Sequence, residues 1–219
     1  MAASSPGAGL SFGPARELGD VLEAWGLVYH GYRRAGLIPA NRWQLHFVPH
    51  AIQSRALVIC GRLGGRTVST LSAYFDAPDG GGLPLDAIYG AHLRRLREAG
   101  RVLLEIGLFA DRREFIERSV SALLELMRHA CYFGLSGGGT DAVIGVHPRH
   151  VAFYQRTLGF EPMGPERRHP MVANHPVVLL RLNWGERIVE PRLPRGLAYF
   201  RGHPMAAEAF EDRCSLDPA

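Results

Sequence analysis

The sequence predicts an α/β protein in which a central mixed sheet is flanked by helices. Two strand-like runs, residues 56–62 and 67–75, are separated by Gly64-Gly65, which is typical of a hairpin with antiparallel neighbours. In the second half, apolar runs alternate with helical periodicity, which favours parallel neighbours there. The chain has 219 residues, 47% of them hydrophobic, and can therefore bury one sizeable core.

The first half contains two predicted helices around the hairpin. Apolar residues at helical spacing predict a helix over residues 15–34, and a strand is predicted over residues 44–48. A loop rich in Gly and Pro follows the hairpin over residues 76–84. We expect Asp86 to be the N-cap of a second helix that runs to Glu98.

The second half contains the most regular helix, which is predicted over residues 114–133 and ends at Gly134. Pro148 is expected to begin another helix that Gly159 terminates, because proline is favoured in the first helical turn. Short apolar runs predict the remaining strands, at residues 102–109, 141–146 and 177–182.

These elements predict one α/β domain between two less regular ends. We expect a flexible N-terminus over residues 1–14, a single domain over residues 15–184, and a C-terminal extension over residues 185–219 that packs on or near the domain. No apolar run approaches the roughly 20 residues needed to span a bilayer, so we expect a cytoplasmic protein without a transmembrane segment.

Composition excludes several other classes. The three cysteines lie far apart without a CxxC pair, which argues against a disulfide framework or a zinc site, and we expect no metal. The net charge is +4 and all 25 basic residues are Arg, which suits an acidic partner. There is no dense basic block of the kind that binds nucleic acid, so nucleic acid is not an expected partner.

Glu105 is the most informative residue. It interrupts an apolar run that is typical of a central strand buried on both faces, where a carboxylate is costly unless it is paired or used. Burial would raise its pKa toward neutrality, which suits a general base that deprotonates an amine. An Arg partner, or a position at the solvated end of the strand, would instead give it a structural role.

Four further residues are candidates for substrate contacts. His147 and Arg149 lie at a strand-to-helix junction, where helix N-terminal amides attract anions. Tyr154 fits either a cleft or an ordinary core stripe. Arg33, at the end of the first helix, could bind a carboxylate, although a cation there also complements the helix dipole.

Several short motifs follow one another along the chain: Tyr29-His30-Gly31-Tyr32-Arg33, Gly36-Leu37-Ile38, the loop from Asp76 to Asp86, Leu104-Glu105-Ile106, His147-Pro148-Arg149-His150 and the run from Phe153 to Phe160. Their order and spacing resemble those of the long-chain N-acyl amino acid synthases (FeeM-like) of the GNAT acyltransferase superfamily. The resemblance implies a GNAT-like sheet that splays beside the Glu105 strand, with an acyl-phosphopantetheine arm in the gap. Glu105 then matches the strand carboxylate of the family.

The resemblance also implies the chemistry. It suggests an N-acyltransferase that moves a long-chain acyl group from an acyl-carrier protein to an amino acid, with no permanently bound cofactor. The implied acyl cleft is lined by Ile106, Gly107, Leu108, Phe109, Val146 and Tyr154, and Arg33, His147 and Arg149 are implied contacts of substrate or carrier.

Two alternatives remain at this stage. The first is a coenzyme A-dependent N-acetyltransferase, although residues 110–114 lack the Gly-rich loop that holds the pyrophosphate of coenzyme A in ordinary GNAT enzymes. The second is a non-catalytic acyl-binding module, because Gly107 and Leu108 stand where FeeM-like strands generally carry a small polar residue and a basic one.

Overall fold

A mixed sheet forms the centre of the structure. The computed structural model describes residues 9–77, 81–112 and 119–216. Within these ranges the sheet has eight strands: β1 Ser11–Pro14, β2 Ala56–Leu63, β3 Arg66–Phe75, β4 Leu103–Asp111, β5 Asp141–Val146, β6 Glu161–Pro162, β7 Arg167–His169 and β8 His175–Leu182.

The strand order places β4 and β5 in the middle of the sheet. The order is β1-β2-β3-β4-β5-β8-β6, and β7 also pairs with β8. Within the described ranges β4 and β5 form the one parallel pair, while the other neighbours are antiparallel. The predicted α/β fold class with a mixed sheet is confirmed.

Helices cover both faces of the sheet. They are α1 Leu18–Arg34, α2 Asp86–Glu98, α3 Ser119–Ser136, α4 Val151–Leu158, α5 Trp184–Arg187 and α6 Arg195–Gly202. One face packs against α1 and α2, and the opposite face packs against α3, α4 and α6. Glu114, where the sequence analysis begins the long helix, lies outside the described residues.

Alternation along the central strands divides their side chains between the two faces. Leu104 and Ile106 join the core under α3, whereas Leu103 packs under α2. Glu105 points to the same side as Leu103, because successive side chains of a strand point to opposite faces. The face under α1 and α2 therefore carries the carboxylate.

The strand predicted for residues 44–48 is wrong. The Asn41 side chain accepts from the Trp43 N–H, and Gln44 has a positive φ of 53°, so the chain turns instead of extending. Phe47 stacks on the buried Trp25 ring with centroids 4.3 Å apart. The apolar side chains of this segment therefore pack on α1 and do not join the sheet.

Asp86 is not the predicted N-cap. It is the first residue of α2, and Leu85 occupies the cap position. Its carboxylate accepts a hydrogen bond from the Leu83 N–H at 2.7 Å and forms an ion pair with Arg97. The aspartate thus fixes the turn that leads into the helix.

Parts of both predicted ends pack against the central domain. Residues 11–14, placed in a flexible N-terminus by the sequence analysis, pair with β2 in register Ser11↔Arg62 to Pro14↔Ile59. In the C-terminal extension, Leu197, Phe200 and Phe210 belong to the core cluster under α3. The sequence of this extension lacks clear periodicity because its helices are only four and eight residues long.

No helix in the described ranges is both long enough and apolar enough to cross a bilayer.

Candidate active site

The two central parallel strands separate at Glu105. Pairing between β4 and β5 covers Leu103↔Asp141, Leu104↔Ala142 and Glu105↔Val143, and no pair follows. β5 nevertheless continues to Val146 along β8. The side of β4 that faces β5 therefore has no strand partner beyond Glu105, and a gap opens in the middle of the sheet.

A β-bulge in β4 accompanies this gap. Ser72 pairs with Gly107 and Thr70 pairs with Ala110, so Leu108 and Phe109 together oppose the single residue Leu71. Leu108 has a positive φ of 51°, which is unusual for a residue with a branched side chain. Bulges re-aim side chains and backbone groups, and they are frequent beside active sites.

The gap leads into a cavity of about 450 Å³, a size within the roughly 300–1,000 Å³ typical of small-molecule sites. Its walls come from β4, β5, α1, α4 and the β7–β8 hairpin. The lining includes Tyr32, Leu37, His46, Val48, Tyr74, Leu85, Glu105, Gly107, Leu108, Phe109, Gly145, Val146, His147, Arg149, Tyr154, His169, Met171, His175 and Val177. Because Tyr74 lies under α1 and Tyr154 lies on α4, the cavity reaches both faces of the sheet.

Glu105 lies in the wall of this cavity and is only 6% exposed. Its Oε2 accepts a hydrogen bond from the Leu85 N–H at 2.8 Å. Among the described residues no Arg or His forms an ion pair with it. The structural role considered for Glu105, a buried ion pair, is therefore not the observed one.

Nearby cations are engaged by other carboxylates. Arg97 forms ion pairs with both Asp76 and Asp86, at 2.5 and 2.6 Å. Asp141, at the start of β5, is fully buried and pairs with Arg101 and Arg181. This distribution leaves Glu105 without a counter-charge.

The surroundings of Glu105 determine its protonation. Burial raises the pKa of Glu105 to about 8, and the Asp86 and Asp76 carboxylates contribute in the same direction, while the Leu85 N–H opposes the shift. A carboxyl group with such a pKa exchanges protons near neutral pH, which is the property required of a general base.

Most of the predicted cleft residues line the cavity. Gly107, Leu108, Phe109, Val146 and Tyr154 do so, as do His147 and Arg149. Burial raises the pKa of Tyr154 to about 12, and its ring also packs edge-to-face on Phe160 with centroids 5.9 Å apart. Tyr154 therefore lies in the cleft wall and also packs against the core, as the two interpretations of the sequence proposed separately.

Two predicted site residues lie elsewhere. Ile106 points away from the cavity into the core under α3, because it alternates with Glu105 along the strand. Arg33 is exposed, does not line the cavity, and donates to the Ile38 carbonyl at 3.0 Å. Its guanidinium stabilises the turn after α1.

His147 and Arg149 lie at the rim of the cavity, in the turn between β5 and α4. His147 caps this turn, since its Nδ1 accepts from the Arg149 N–H at 3.3 Å. The Arg149 Nε lies 3.0 Å from the His150 Nε2. Arg149 is exposed and follows the end of β5.

Sequence reasoning missed the wall opposite α4. Tyr32, His46 and Tyr74 line it, and Tyr74 is the cross-strand neighbour of Glu105. Alternation along β3 was a usable signal, because it places Tyr74 on one face with Ser72. The register between β3 and β4, which depends on the bulge at Leu108, was not visible in the sequence.

Within the part of the chain that the structure describes, no group of three or more His, Cys, Asp or Glu residues is placed to hold a metal ion.

The splayed sheet and the bulged central strand are those of a GNAT-like fold. The family model "N-acyl amino acid synthase FeeM" matches residues 23–183. The chain belongs to this family, and it has N-acyltransferase activity.

Solved structures share the fold. FeeM, an N-acyl amino acid synthase from uncultured soil microbes, superposes with a TM-score of 0.70 at 21% identity, covering 82% of this chain and 92% of FeeM. The coenzyme A-dependent acyl-homoserine lactone synthase BjaI gives a TM-score of 0.59 at 14% identity, with coverage of 94% and 99%. The AHL synthase LasI superposes with a TM-score of 0.57 at 15% identity, covering 80% of this chain and 90% of LasI. No curated protein matches the sequence at a significant level.

The raised pKa of Glu105 predicts a pH-dependent stability. Between the ordinary pKa of 4.5 and the folded value of about 8, the folded protein holds a proton that the unfolded chain has lost. The free energy of unfolding therefore falls as the pH rises across this window. Glu105→Gln removes the ionisable group, and we expect it to be more stable than the wild type at pH 8.5 by more than about 1 kcal/mol, with this pH-dependent advantage lost below about pH 4, where both states of the wild type are protonated.

Denaturant unfolding at several pH values measures this difference, with Glu98→Gln as the matched control. Glu98 is an exposed residue of α2, and its substitution controls for the loss of one carboxyl group at the surface. A difference between Glu105→Gln and the wild type that does not change with pH would contradict the raised pKa.

Proposed function

We propose that this enzyme transfers a long-chain acyl group from an acyl-carrier protein to the amine of an amino acid, forming an N-acyl amino acid. The observation that carries the proposal is the position of Glu105. It is a buried carboxyl group without a cation partner among the described residues, located where β4 and β5 separate and directly on the cavity. Membership in the N-acyl amino acid synthase family supports the choice of product.

Glu105 is the proposed catalytic base. Leu85 N–H binds Oε2 and leaves Oε1 for the acceptor amine. Glu105 removes a proton from the amine, whose nitrogen then attacks the thioester carbonyl and forms the amide bond as the carbon–sulfur bond breaks. The proton passes to the departing thiolate, so the products are an amide and a thiol. Backbone N–H groups of β4 beyond Glu105 stabilise the oxyanion.

The gap between β4 and β5 is the proposed path of the phosphopantetheine arm. Gly107 lacks a side chain that would obstruct the arm, and Leu108, Phe109, Val146 and Tyr154 supply apolar surface for it and the acyl chain. At the rim, Arg149 and His147 provide a cation and a hydrogen-bonding ring. We assign Arg149 to the phosphate of the arm, because a guanidinium binds phosphate in bidentate fashion.

An acyl-carrier protein is the proposed donor for two reasons. The sequence after β4 lacks the Gly-rich pyrophosphate loop, and a carrier-bound pantetheine has no pyrophosphate to bind. All 25 basic residues are Arg, and a net charge of +4 favours association with the acidic surface usual in such carriers. Acyl-coenzyme A is the competing donor.

Turnover with defined substrates tests the proposal. The enzyme is assayed with a panel of amino acids and one of two donors, an acyl-carrier protein loaded with a long acyl chain or the corresponding acyl-coenzyme A. We expect an N-acyl amino acid, detected by its mass, with the loaded carrier protein as the better donor. We expect Glu105→Gln to lower kcat/KM for the acceptor at least about 100-fold, since a general base contributes about 10²–10⁴-fold. The wild-type rate should rise with pH until about pH 8, as Glu105 loses its proton.

Glu98→Gln serves as the matched control, because this exposed α2 residue does not line the cavity. Full activity of Glu105→Gln would refute the proposed base. A higher kcat/KM with acyl-coenzyme A would refute the carrier protein as the preferred donor, while leaving the reaction itself intact.

Removal of Arg149 tests the phosphate assignment. We expect Arg149→Ala to raise the KM for acyl-carrier protein about 10-fold or more, since a hydrogen bond to a charged group contributes about 1.5–3 kcal/mol. An acyl-pantetheine that lacks the phosphate should show no difference between variant and wild type in steady-state kinetics. Arg156→Ala, on the exposed side of α4, is the control. An equal effect on both donors would mean that Arg149 does not contact the phosphate.

A further inference from the structure

The hydroxyl of Tyr74 is a buried polar group that the proposed reaction does not use. Tyr74 is 1% exposed, lines the cavity, and is the cross-strand neighbour of Glu105. Its hydroxyl makes no hydrogen bond of normal geometry with the described residues, although the Ser72 hydroxyl lies close enough to lower its pKa. A buried polar group without a partner lowers stability, so such a group calls for an explanation.

Another tyrosine shows what a structural hydroxyl looks like in this protein. Tyr89, on α2, is 0% exposed, and its hydroxyl lies 2.8 Å from the Pro165 carbonyl and 2.7 Å from the Val177 carbonyl. Tyr74 is equally buried but lacks comparable partners. The difference suggests that the partner of Tyr74 arrives with a ligand.

The strand order indicates which of the two substrates reaches the Tyr74 hydroxyl. Glu105 on β4 lies between the gap toward β5 on one side and Tyr74 on β3 on the other. In the proposed reaction the acyl donor occupies the gap. An acceptor whose amine contacts Glu105 therefore extends toward β3 and α1, where Tyr74, Tyr32 and His46 line the cavity.

The charge state of Tyr74 fits the role of a donor. Burial raises the pKa of Tyr74 well above its ordinary value, with the Ser72 hydroxyl opposing the shift and Glu105 adding to it. The hydroxyl therefore stays protonated at neutral pH. A neutral hydroxyl in a low-dielectric wall binds an anionic oxygen more strongly than the same group does in water.

We propose that the Tyr74 hydroxyl donates a hydrogen bond to the carboxylate of the acceptor amino acid and thereby selects amino acids over simple amines. This inference rests on the proposed function, because it requires an amino acid as the acceptor. The carboxylate of an α-amino acid is one carbon from its amine, so the neighbouring positions of Glu105 and Tyr74 suit the two groups of one molecule. Tyr74 is a specificity-determining residue in this account and takes no part in proton transfer.

Steady-state kinetics of Tyr74→Phe with two matched acceptors test the contact. One acceptor is the amino acid preferred by the wild type, and the other is its carboxamide, which is uncharged at the same position. For the amino acid, we expect the KM to rise about 10-fold or more, with kcat and the KM for the acyl donor within about threefold. For the carboxamide, variant and wild type should have the same KM.

Thermal unfolding provides a readout that does not depend on activity. Tyr74→Phe removes a hydroxyl without a partner, so its Tm should equal or exceed that of the wild type. Tyr89→Phe removes a hydroxyl that contacts two carbonyls, so its Tm should fall. A fall in Tm for Tyr74→Phe like that of Tyr89→Phe would show that a protein group such as Ser72 satisfies the hydroxyl, and would overturn the inference.

The kinetic outcomes separate this inference from the proposed function. Equal KM increases for amino acid and carboxamide, or no increase for either, would refute the carboxylate contact while the reaction stands. Absence of amide formation by the wild type with every amino acid would refute the proposed function, and the inference with it.

Discussion

The cavity and the position of Glu105 within it both depend on the point at which β4 and β5 stop pairing. Three residue pairs hold these strands together, and Glu105 contributes the last of them. Beyond it the strands follow different partners: β4 bulges against β3 at Leu108, and β5 continues along β8. Parallel strands in a sheet centre are normally covered on both faces and fully paired. Their separation here creates a cavity in the middle of the sheet.

The charges around Glu105 distinguish it from the other carboxylates of this region. The 25 Arg residues provide many possible counter-ions, yet the structure assigns Arg97 to Asp76 and Asp86, and two other arginines to Asp141. Glu105 retains a single backbone hydrogen bond and a pKa of about 8. An unpaired carboxylate in a sheet is destabilising when it ionises. That cost is consistent with a group kept for proton transfer, since strain and unsatisfied groups concentrate at functional sites.

The sequence revealed the features that depend on local pattern. A carboxylate within an apolar run identified Glu105, and the glycine-bounded strands and helices were located within a few residues. Features set by tertiary packing were missed. Residues 44–48 alternate like a strand but pack on Trp25, and Ile106 and Arg33 were assigned to a site that they do not line. Tyr74 was overlooked because its place beside Glu105 depends on strand register, which no single segment of sequence encodes.

The central claim is that the acyl donor lies in the gap between β4 and β5, with Glu105 facing the acceptor. A crystal structure of the enzyme with a non-hydrolysable amide analogue of long-chain acyl-phosphopantetheine tests it most directly. The account predicts the arm between residues 106–109 and 144–146, with the analogue's carbonyl oxygen within hydrogen-bond distance of a β4 N–H and beside Glu105. An arm bound outside the gap, or with its carbonyl remote from Glu105, would contradict it.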